Sequence, residues 1–361
     1  MRYIPLPHLK EGMILAKPLY GANFNVLLGE NVELTATHLQ RVNELGYAGV
    51  YIRDALSDDI IVSDVIDSAL RVDTIRSAKE VLQQAENGAF ENSRKITRLH
   101  QERIIMPVIE SIIASPSRMV DIIDLKPYDD YVYYHAANVV ILSVLLGVEM
   151  GLAGTQLYEL ALAALLHDVG NIFIPKSILS KPDKLTPEEY GIIKQHSQMG
   201  FDYLREHFDI SIEACMGALQ HHENFDGSGY PNQLKKDKIS IYGRIIAITD
   251  VYDALTSRRP YRQPMLSAAA IEYLGANAGT MFDPDAVKSF KNVVAIYPSG
   301  ICVELTSGLQ CIVVGNYPGY SSRPHLRLLK NTSQTPLYID LKNDAAFADV
   351  TVSRILEDYT E

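Results

Sequence analysis

Apolar residues recur every three to four positions through residues 116–295, which predicts a succession of helices. The segments HAANVVILSVLLG and LYELALAALLHDVG are predicted as helices that each end at a glycine. The segment LTPEEYGIIKQHSQMGFDYLREH opens with Thr186, Pro187 and Glu189, the pattern of a capping box with proline at the first helical position. Another helix is predicted over YGRIIAITDVYDALTS. The fold class predicted here is mainly α.

The flanking segments have different patterns. In residues 1–53, the strand-like runs GMILAKPLY, NVLLG and AGVYIRD surround TATHLQRVNELG, a helix predicted to begin after Thr35 and to stop at Gly46. These features predict a small α+β unit. Residues 54–115 are charged and helical in pattern, which indicates a helical connector that either couples units or acts as a spacer.

Residues 296–361 change character again. The segment SGICVELTSGLQCIVVGNYP alternates and turns at Ser307-Gly308, and HLRLLKN and PLYIDLK add two strands. A β-rich C-terminal extension is therefore predicted. For both terminal segments, a role in dimerisation or regulation and a purely stabilising role are open alternatives.

Composition and net charge limit the classes of molecule that the protein is expected to bind. The 361 residues are 47% hydrophobic, which suits packed cores, and the formal net charge of -11 disfavours binding to a DNA or RNA polymer. A small polyanion would need a local positive site. The three scattered cysteines contain no CxxC pattern and fit a reducing compartment. Because VVILSVLLGV is too short to span a bilayer and the start lacks an apolar leader, we expect a cytoplasmic protein without a membrane partner.

Candidate metal ligands cluster within the helical region. His135 and His196 share faces with apolar neighbours, while the pairs His167-Asp168 and His221-His222 end apolar stretches and Asp250 follows RIIAIT. A single one of these histidines is ordinarily a core residue with a backbone partner. Five histidines buried with two aspartates would instead need a cation, because unpaired buried carboxylates cost several kcal/mol. Imidazole and carboxylate without thiolate favour iron or manganese over zinc, and two adjacent pairs favour two metals.

With HD at 167–168 and HHENFDGSGYP at 221–231, the sequence resembles the HD-GYP family of HD-superfamily phosphohydrolases over residues 116–295. YDDYVYYHAANV, LLHDVG, HSQMG, DVYDALTSRRPYR and GTMFDP follow in family order. The resemblance implies a helical HD domain with a di- or trinuclear iron or manganese centre, hydrolysing cyclic di-GMP or, in some members, cyclic GMP-AMP. The implied metal ligands are His135, His167, Asp168, His196, His221, His222 and Asp250. Among them, Asp168 is implied to bridge the metal ions, and His167, Asp168 and Asp250 are implied to be central to catalysis.

The metal count is expected to be two. Members with a third metal carry Glu one turn before the first histidine, where this chain has Tyr131. Asp253, three residues after Asp250 on one helix face, is expected to orient ligands from a second shell, or else to cap the helix or pair with arginine.

The resemblance also implies substrate contacts. Gly227 and Gly229 permit positive φ and Pro231 fixes the exit, so the turn can hold Tyr230 close to the metal histidines. The resemblance implies that Tyr230 contacts the phosphate or guanine of the ligand; the alternative is a stiff structural turn. Arg259 and Arg262 match positions that contact phosphate, although exposed charges are an equal alternative.

One departure concerns Asn171, which stands where the family has Lys near the scissile phosphate. Asn keeps a hydrogen-bond donor but loses the charge, and a lost stabilising donor costs about a hundredfold in rate. Lys176 or Lys184 could compensate.

The expected reaction is attack by a metal-bridged hydroxide that gives pGpG, GMP or both. The alternatives are a slow or inactive cyclic-dinucleotide effector, a hydrolase of cyclic GMP-AMP and, less favoured, another nucleotide phosphohydrolase. A homodimer or a signalling-protein partner is also expected.

Overall fold

The computed structural model describes residues 1–21, 25–62, 64–87, 104–115, 118–120, 131–181, 183–257, 264–329 and 336–357. Contacts divide the chain into two compact units. The first comprises Met1–Val65, Met119–Tyr131 and Lys291–Glu361, and the second comprises Ile66–Arg118 and Val132–Phe290.

The first unit carries the small sheets. A three-stranded antiparallel sheet has the order β1-β5-β2, so the predicted strand AGVYIRD lies at its centre. Helix α1 begins after Thr35, whose side chain accepts from His38 N, and Gly46 has the positive φ of a helix stop. The elements are β1 (Arg2–Pro5), β2 (Ile14–Leu15), β3 (Leu19–Tyr20), β4 (Val26–Leu28), α1 (Ala36–Glu44) and β5 (Gly49–Arg53).

A five-stranded antiparallel sheet, with the order β10-β6-β7-β8-β9, belongs to the same unit. Its strands are β6 (Cys302–Leu305), β7 (Gln310–Gly315), β8 (His325–Leu328), β9 (Tyr338–Asp340) and β10 (Val352–Leu356). The predicted hairpin turn has Gly308 at φ 83°. Tyr51 shares a buried apolar cluster with Cys302 and Ile312, so the two ends of the chain pack into one core. The division into four segments stays a prediction.

The second unit is helical, which confirms the mainly α fold class with small terminal sheets. Its helices are α2 (Ser68–Glu86), α3 (Met106–Ala114), α4 (Tyr131–Glu149, whose first residue falls in the first unit), α5 (Thr155–Leu166), α6 (Lys176–Leu179), α7 (Pro187–Ile193), α8 (His196–His207), α9 (Ile212–Gln220), α10 (Ile241–Thr256), α11 (Ser267–Ala276) and α12 (Pro284–Val293, which extends into the first unit). A 3-10 turn (Val169–Phe173) follows α5, and α9 packs on α5, α8 and α10.

Three predicted helix boundaries are wrong. Helix α5 ends at Leu166 and not at Gly170, which lies within the following 3-10 turn. Helix α4 continues through Gly147 to Glu149, because Gly147 allows close packing: a Cβ there would lie 2.7 Å from Leu160 Cδ2. The predicted helix after Thr186 is two helices. Its capping box is present, but α7 ends at Ile193 and α8 begins at His196.

Helix α4 supplies much of the helical core, with fourteen buried residues. Among the described residues it is the helix long and apolar enough to cross a bilayer, yet 78% of its most apolar window is buried inside the protein. A core helix passes the same test, and this agrees with the buried helix predicted around residues 139–148.

Candidate metal centre

The seven predicted ligands come from five places in the helical unit. His135 lies in the first turns of α4 and Asp250 lies in α10, while His196 is the first residue of α8. The two adjacent pairs lie where helices end: His167-Asp168 directly follows α5, and His221-His222 directly follows α9. A helix end lets successive side chains turn toward the same point, which the regular spacing of a helix interior prevents.

The ligand atoms form two groups, each with its atoms within 4.8 Å of one another. One group contains Asp168, His196, His221 and His222, and the other contains His135, His167 and Asp250. Asp168 lies between them, because its Oδ1 is 3.4 Å from His196 Nε2 and its Oδ2 is 3.6 Å from His167 Nε2. All seven predicted residues are thus brought together.

Backbone carbonyls fix three of the rings. The Nδ1 atoms of His167, His196 and His221 each lie 2.7 Å from the carbonyl oxygen three residues earlier. A carbonyl oxygen only accepts, so each Nδ1 carries a hydrogen and the Nε2 of each ring is turned inward, where it can act as a ligand. This is the orientation in which histidine binds metal ions.

The bare Nε2 atoms fit a bound cation. His167 Nε2 is buried and has no hydrogen-bond partner among the described residues. The Nε2 atoms of His196 and His221 lie 3.3 Å apart, which sets two lone pairs against each other. Burial, reinforced by neighbouring histidines, lowers the pKa of His221 and lowers that of His222 to about 3, so both rings are neutral at pH 7. A cation among these lone pairs would satisfy them all.

The two carboxylates are held ionised. Burial alone would raise the pKa of Asp168, but His167, His196 and His221 outweigh it and hold that pKa well below its usual range. Burial likewise opposes ionisation of Asp250, but the hydrogen bond and charge of His135 dominate and lower its pKa. Ionised carboxylates together with imidazoles are the donor set expected for iron or manganese.

Asp253 contacts the imidazole of His135. Its Oδ2 lies 2.7 Å from His135 Nδ1, while His135 Nε2 is 3.2 Å from Asp250 Oδ1. Burial would lower the pKa of His135, but the hydrogen bonds to Asp250 and Asp253 raise it to about 9. Without a metal, His135 is therefore protonated at neutral pH.

The loop after the histidine pair brings Tyr230 onto the site. Its ring stacks on His222 with centroids 4.8 Å apart. Gly227 has the expected positive φ of 87°, but the structure assigns none to Gly229. Gly229 is needed for space, since a Cβ there would lie 2.2 Å from Asn224 N and 2.5 Å from His222 O.

Glu223 holds this loop and was missed by the sequence analysis. It is 3% exposed, and its carboxylate accepts from Asn232 N at 2.6 Å and from Leu234 N at 3.0 Å. The exit of the loop is thereby bonded to its start beside His222. The sequence signal was an acid directly after the histidine pair, where burial without a backbone partner would be costly.

Lys194 is a second missed residue. The residue is half-buried, its Nζ lies 4.6 Å from the Tyr190 ring centroid and 5.5 Å from that of Tyr230, and it has no carboxylate partner within the described part of the chain. Asn171 lies in the 3-10 turn after Asp168. Lys176, one of the two residues considered to compensate for Asn171, is 88% exposed and lies 3.9 Å from Glu86. Lys184 is exposed as well, whereas Arg259 and Arg262 lie outside the described residues.

Residues 119–286 match a family model described as an HD domain. In this helical unit the adjacent His167 and Asp168 lie near histidines from three other segments and Asp250 from a fourth, an arrangement similar to that of HD-class metal-dependent phosphohydrolases. The HD and GYP motifs and the relatives named cyclic di-GMP phosphodiesterases indicate similarity to the HD-GYP family over this region.

Three of those relatives are named for cyclic dinucleotides. A cyclic di-GMP phosphodiesterase of Pseudomonas aeruginosa is 36% identical over 61% of this chain and 53% of its own length. Another, from Thermotoga maritima, is 40% identical over 48% of this chain and 49% of its own length. A 3′3′-cGAMP-specific phosphodiesterase of Vibrio cholerae is 43% identical over 38% of this chain and 27% of its own length. The chain thus spans about half the length, or less, of these relatives.

Proposed function

We propose that this protein hydrolyses cyclic di-GMP to pGpG, GMP or both, using two divalent cations, iron or manganese. The observation that carries the proposal is the pair of neighbouring ligand groups with Asp168 between them. The relatives named cyclic di-GMP phosphodiesterases support the choice of substrate.

One cation would be held by Asp168, His196, His221 and His222, and the other by His135, His167 and Asp250, with Asp168 shared. When bound, such a pair supplies Lewis-acid stabilisation of a phosphodiester and an activated water. The protein's own contribution is orientation: backbone carbonyls fix three imidazoles, and Asp253 fixes His135.

Tyr230 and Lys194 would bind the substrate phosphate beside the cations. Burial, together with the nearby Tyr190, Asp168 and Asp250, raises the pKa of Tyr230, so its hydroxyl keeps the proton and can donate it in a hydrogen bond. Lys194 supplies a positive charge next to Tyr230. Charge-assisted hydrogen bonds to phosphate are about twice as strong as neutral ones. Lys194 would thus replace part of the charge absent at Asn171, and Arg259 and Arg262 would contribute further phosphate contacts.

A binding-only effector is the second candidate, and Asn171 is the residue that favours it. A preference for cyclic GMP-AMP is the third, supported by the cGAMP-specific relative. We further propose a cytoplasmic location, in which the buried thiols of Cys215, Cys302 and Cys311 stay reduced.

The decisive experiment is a turnover assay with elemental analysis. Protein prepared anaerobically and loaded with Fe(II) or Mn(II) is incubated with cyclic di-GMP or 3′3′-cGAMP, and products are separated by chromatography. We expect two metal ions per chain and pGpG or GMP as product. The H167A/D168A double variant should lose both metal and turnover. Tight binding without product would select the effector, and faster cleavage of 3′3′-cGAMP would reassign the substrate.

A further inference from the structure

A chain of polar side chains runs from helix α2 to the metal-ligand candidate His135. Arg71 of α2 donates from Nη1 to Asn138 Oδ1 at 3.2 Å, and Asn138 Nδ2 donates to Asp253 Oδ1 at 2.8 Å. The other oxygen of Asp253 lies 2.7 Å from His135 Nδ1. Three successive contacts thus connect α2, which lies in the predicted connector, with the imidazole.

Asn138 is fixed in orientation by its two partners. The residue is 3% exposed, so both ends of its amide need hydrogen bonds. Its NH₂ group must face the carboxylate of Asp253, because its carbonyl would be repelled there. Only a donor can then satisfy the carbonyl end, and Arg71 is that donor. Without Arg71 the buried carbonyl oxygen would lose its donor, and this cost would weaken the hold on the side-chain position from which Asn138 bonds to Asp253.

Arg71 differs from its neighbours on α2. Arg76, on the same helix, pairs with Asp73 at 2.7 Å, with both side chains at least half exposed. Arg71 is half-buried, and among the described residues its only side-chain hydrogen bond goes to Asn138. The guanidinium of Arg71 therefore orients a buried hydrogen-bond network. The exposed pair of Arg76 and Asp73, by contrast, contributes little to stability.

We infer that Arg71 and Asn138 are positioning residues for the metal centre, through which the placement of α2 sets the orientation of His135. The inference rests on the proposed metal centre and concerns the group formed by His135, His167 and Asp250. Removing residues that support a metal-ligating histidine costs about 10- to 100-fold in metal affinity. The loss should fall on one of the two cations, since His196 and His221 of the other ligand group are oriented by backbone carbonyls and not by this polar chain.

The test is a Mn(II) titration of the full chain, monitored by calorimetry and by metal content after dialysis. R71M should weaken one of the two sites about three- to tenfold, and N138L by about tenfold or more. R71K, which keeps a donor, should recover part of the affinity. R76M is the matched control on the same helix and should bind Mn(II) like the parent. If N138L does not fold, R71M decides alone, because its side chain is only half-buried.

The outcomes separate this inference from the proposed activity. Equal Mn(II) affinities for R71M and R76M, in a parent protein that cleaves cyclic di-GMP, would overturn this inference alone. An equal loss at both sites would also overturn it, since it would indicate general damage to the fold. A loss specific to R71M, in a protein that cleaves no cyclic dinucleotide, would support the positioning role and overturn the activity.

Discussion

At the scale of single residues, the partner on one side of each imidazole determines what its other side can bind. His167, His196 and His221 donate from Nδ1 to a carbonyl of the preceding helical turn, so their Nε2 atoms are left for an acceptor role. His135 differs because carboxylates lie on both of its sides. Its proton is therefore held tightly until a cation replaces it.

Metal binding should release this proton. The pKa of His135 is raised from about 6.5 to about 9, so its stabilising contribution is complete below pH 6.5 and is lost as pH rises through 9. At pH 7.5 the metal-free protein carries the proton, and a cation binding to Nε2 displaces it. Calorimetric Mn(II) titration in two buffers of different ionisation enthalpy should show about one proton released.

The control for this release is D253N, which removes one of the two carboxylates that raise the pKa of His135. This variant should release a smaller fraction of a proton at the same pH. Enthalpies that do not depend on the buffer would contradict the assigned charge of His135.

Lys194 should affect substrate binding more than the chemical step. K194Q removes the charge beside Tyr230, and the loss of one charge-assisted contact costs about 1.5–3 kcal/mol, which corresponds to a roughly tenfold or greater increase in KM. The matched control is K184Q, because Lys184 is exposed. Steady-state kinetics with cyclic di-GMP measure both, and equal KM values would remove Lys194 from the substrate site.

At the scale of secondary-structure elements, the break between α7 and α8 builds one edge of the site. It makes His196 the first residue of α8, and the 3-10 turn after Asp168 packs directly against α8. Gly170 allows this approach, because a Cβ there would lie 1.9 Å from His196 O. The turn after Asp168 and the start of α8 can therefore lie in contact only because residue 170 has no side chain.

G170A should damage both stability and metal binding. The added methyl group must push α8 away, and such overpacking costs about 1–3 kcal/mol. G191A is the control, because Gly191 lies within α7 with open space around its Cα, and alanine there should gain about 0.5–1 kcal/mol. Chemical denaturation and Mn(II) titration measure both effects. Normal metal affinity in G170A would show that the contact does not position His196.

The apolar periodicity of the sequence predicted the presence of the helices better than it predicted the residues at which they begin and end. The capping box at Thr186 was read correctly because its signal is local, involving residues three apart. Gly147 was misread as a stop because its role depends on Leu160 of the next helix, which no local pattern records. No proline or glycine lies between Ile193 and His196, so the sequence predicted one continuous helix.

At the scale of the whole molecule, metal binding should stabilise the fold measurably. The seven ligands come from helices far apart in the sequence, so an unfolded chain cannot form the site. Mn(II) at a hundredfold excess over Kd should add about 2.7 kcal/mol per site, seen as a rise in Tm that EDTA reverses. The H167A/D168A variant should show little of this rise. An equal rise in that variant would place the stabilising metal elsewhere.

The site was more predictable than the architecture around it. Its histidines and aspartates stand out because such residues are rarely buried together, and their motif order identified the family. Strands β1 and β10 were missed, although both join sheets, because their partners are distant in sequence. Arg71 and Asn138 were missed for the same reason: their role exists only where α2 meets α4.

The Glu223 carboxylate has a consequence for protein engineering. It accepts hydrogen bonds from the backbone of Asn232 and Leu234, and it lies directly after His222. The segment from 221 to 234 is therefore held together as one structural unit. Transfer of this loop to another scaffold therefore requires the whole segment from 221 to 234. A tyrosine introduced alone would lack the backbone conformation that positions the Tyr230 ring.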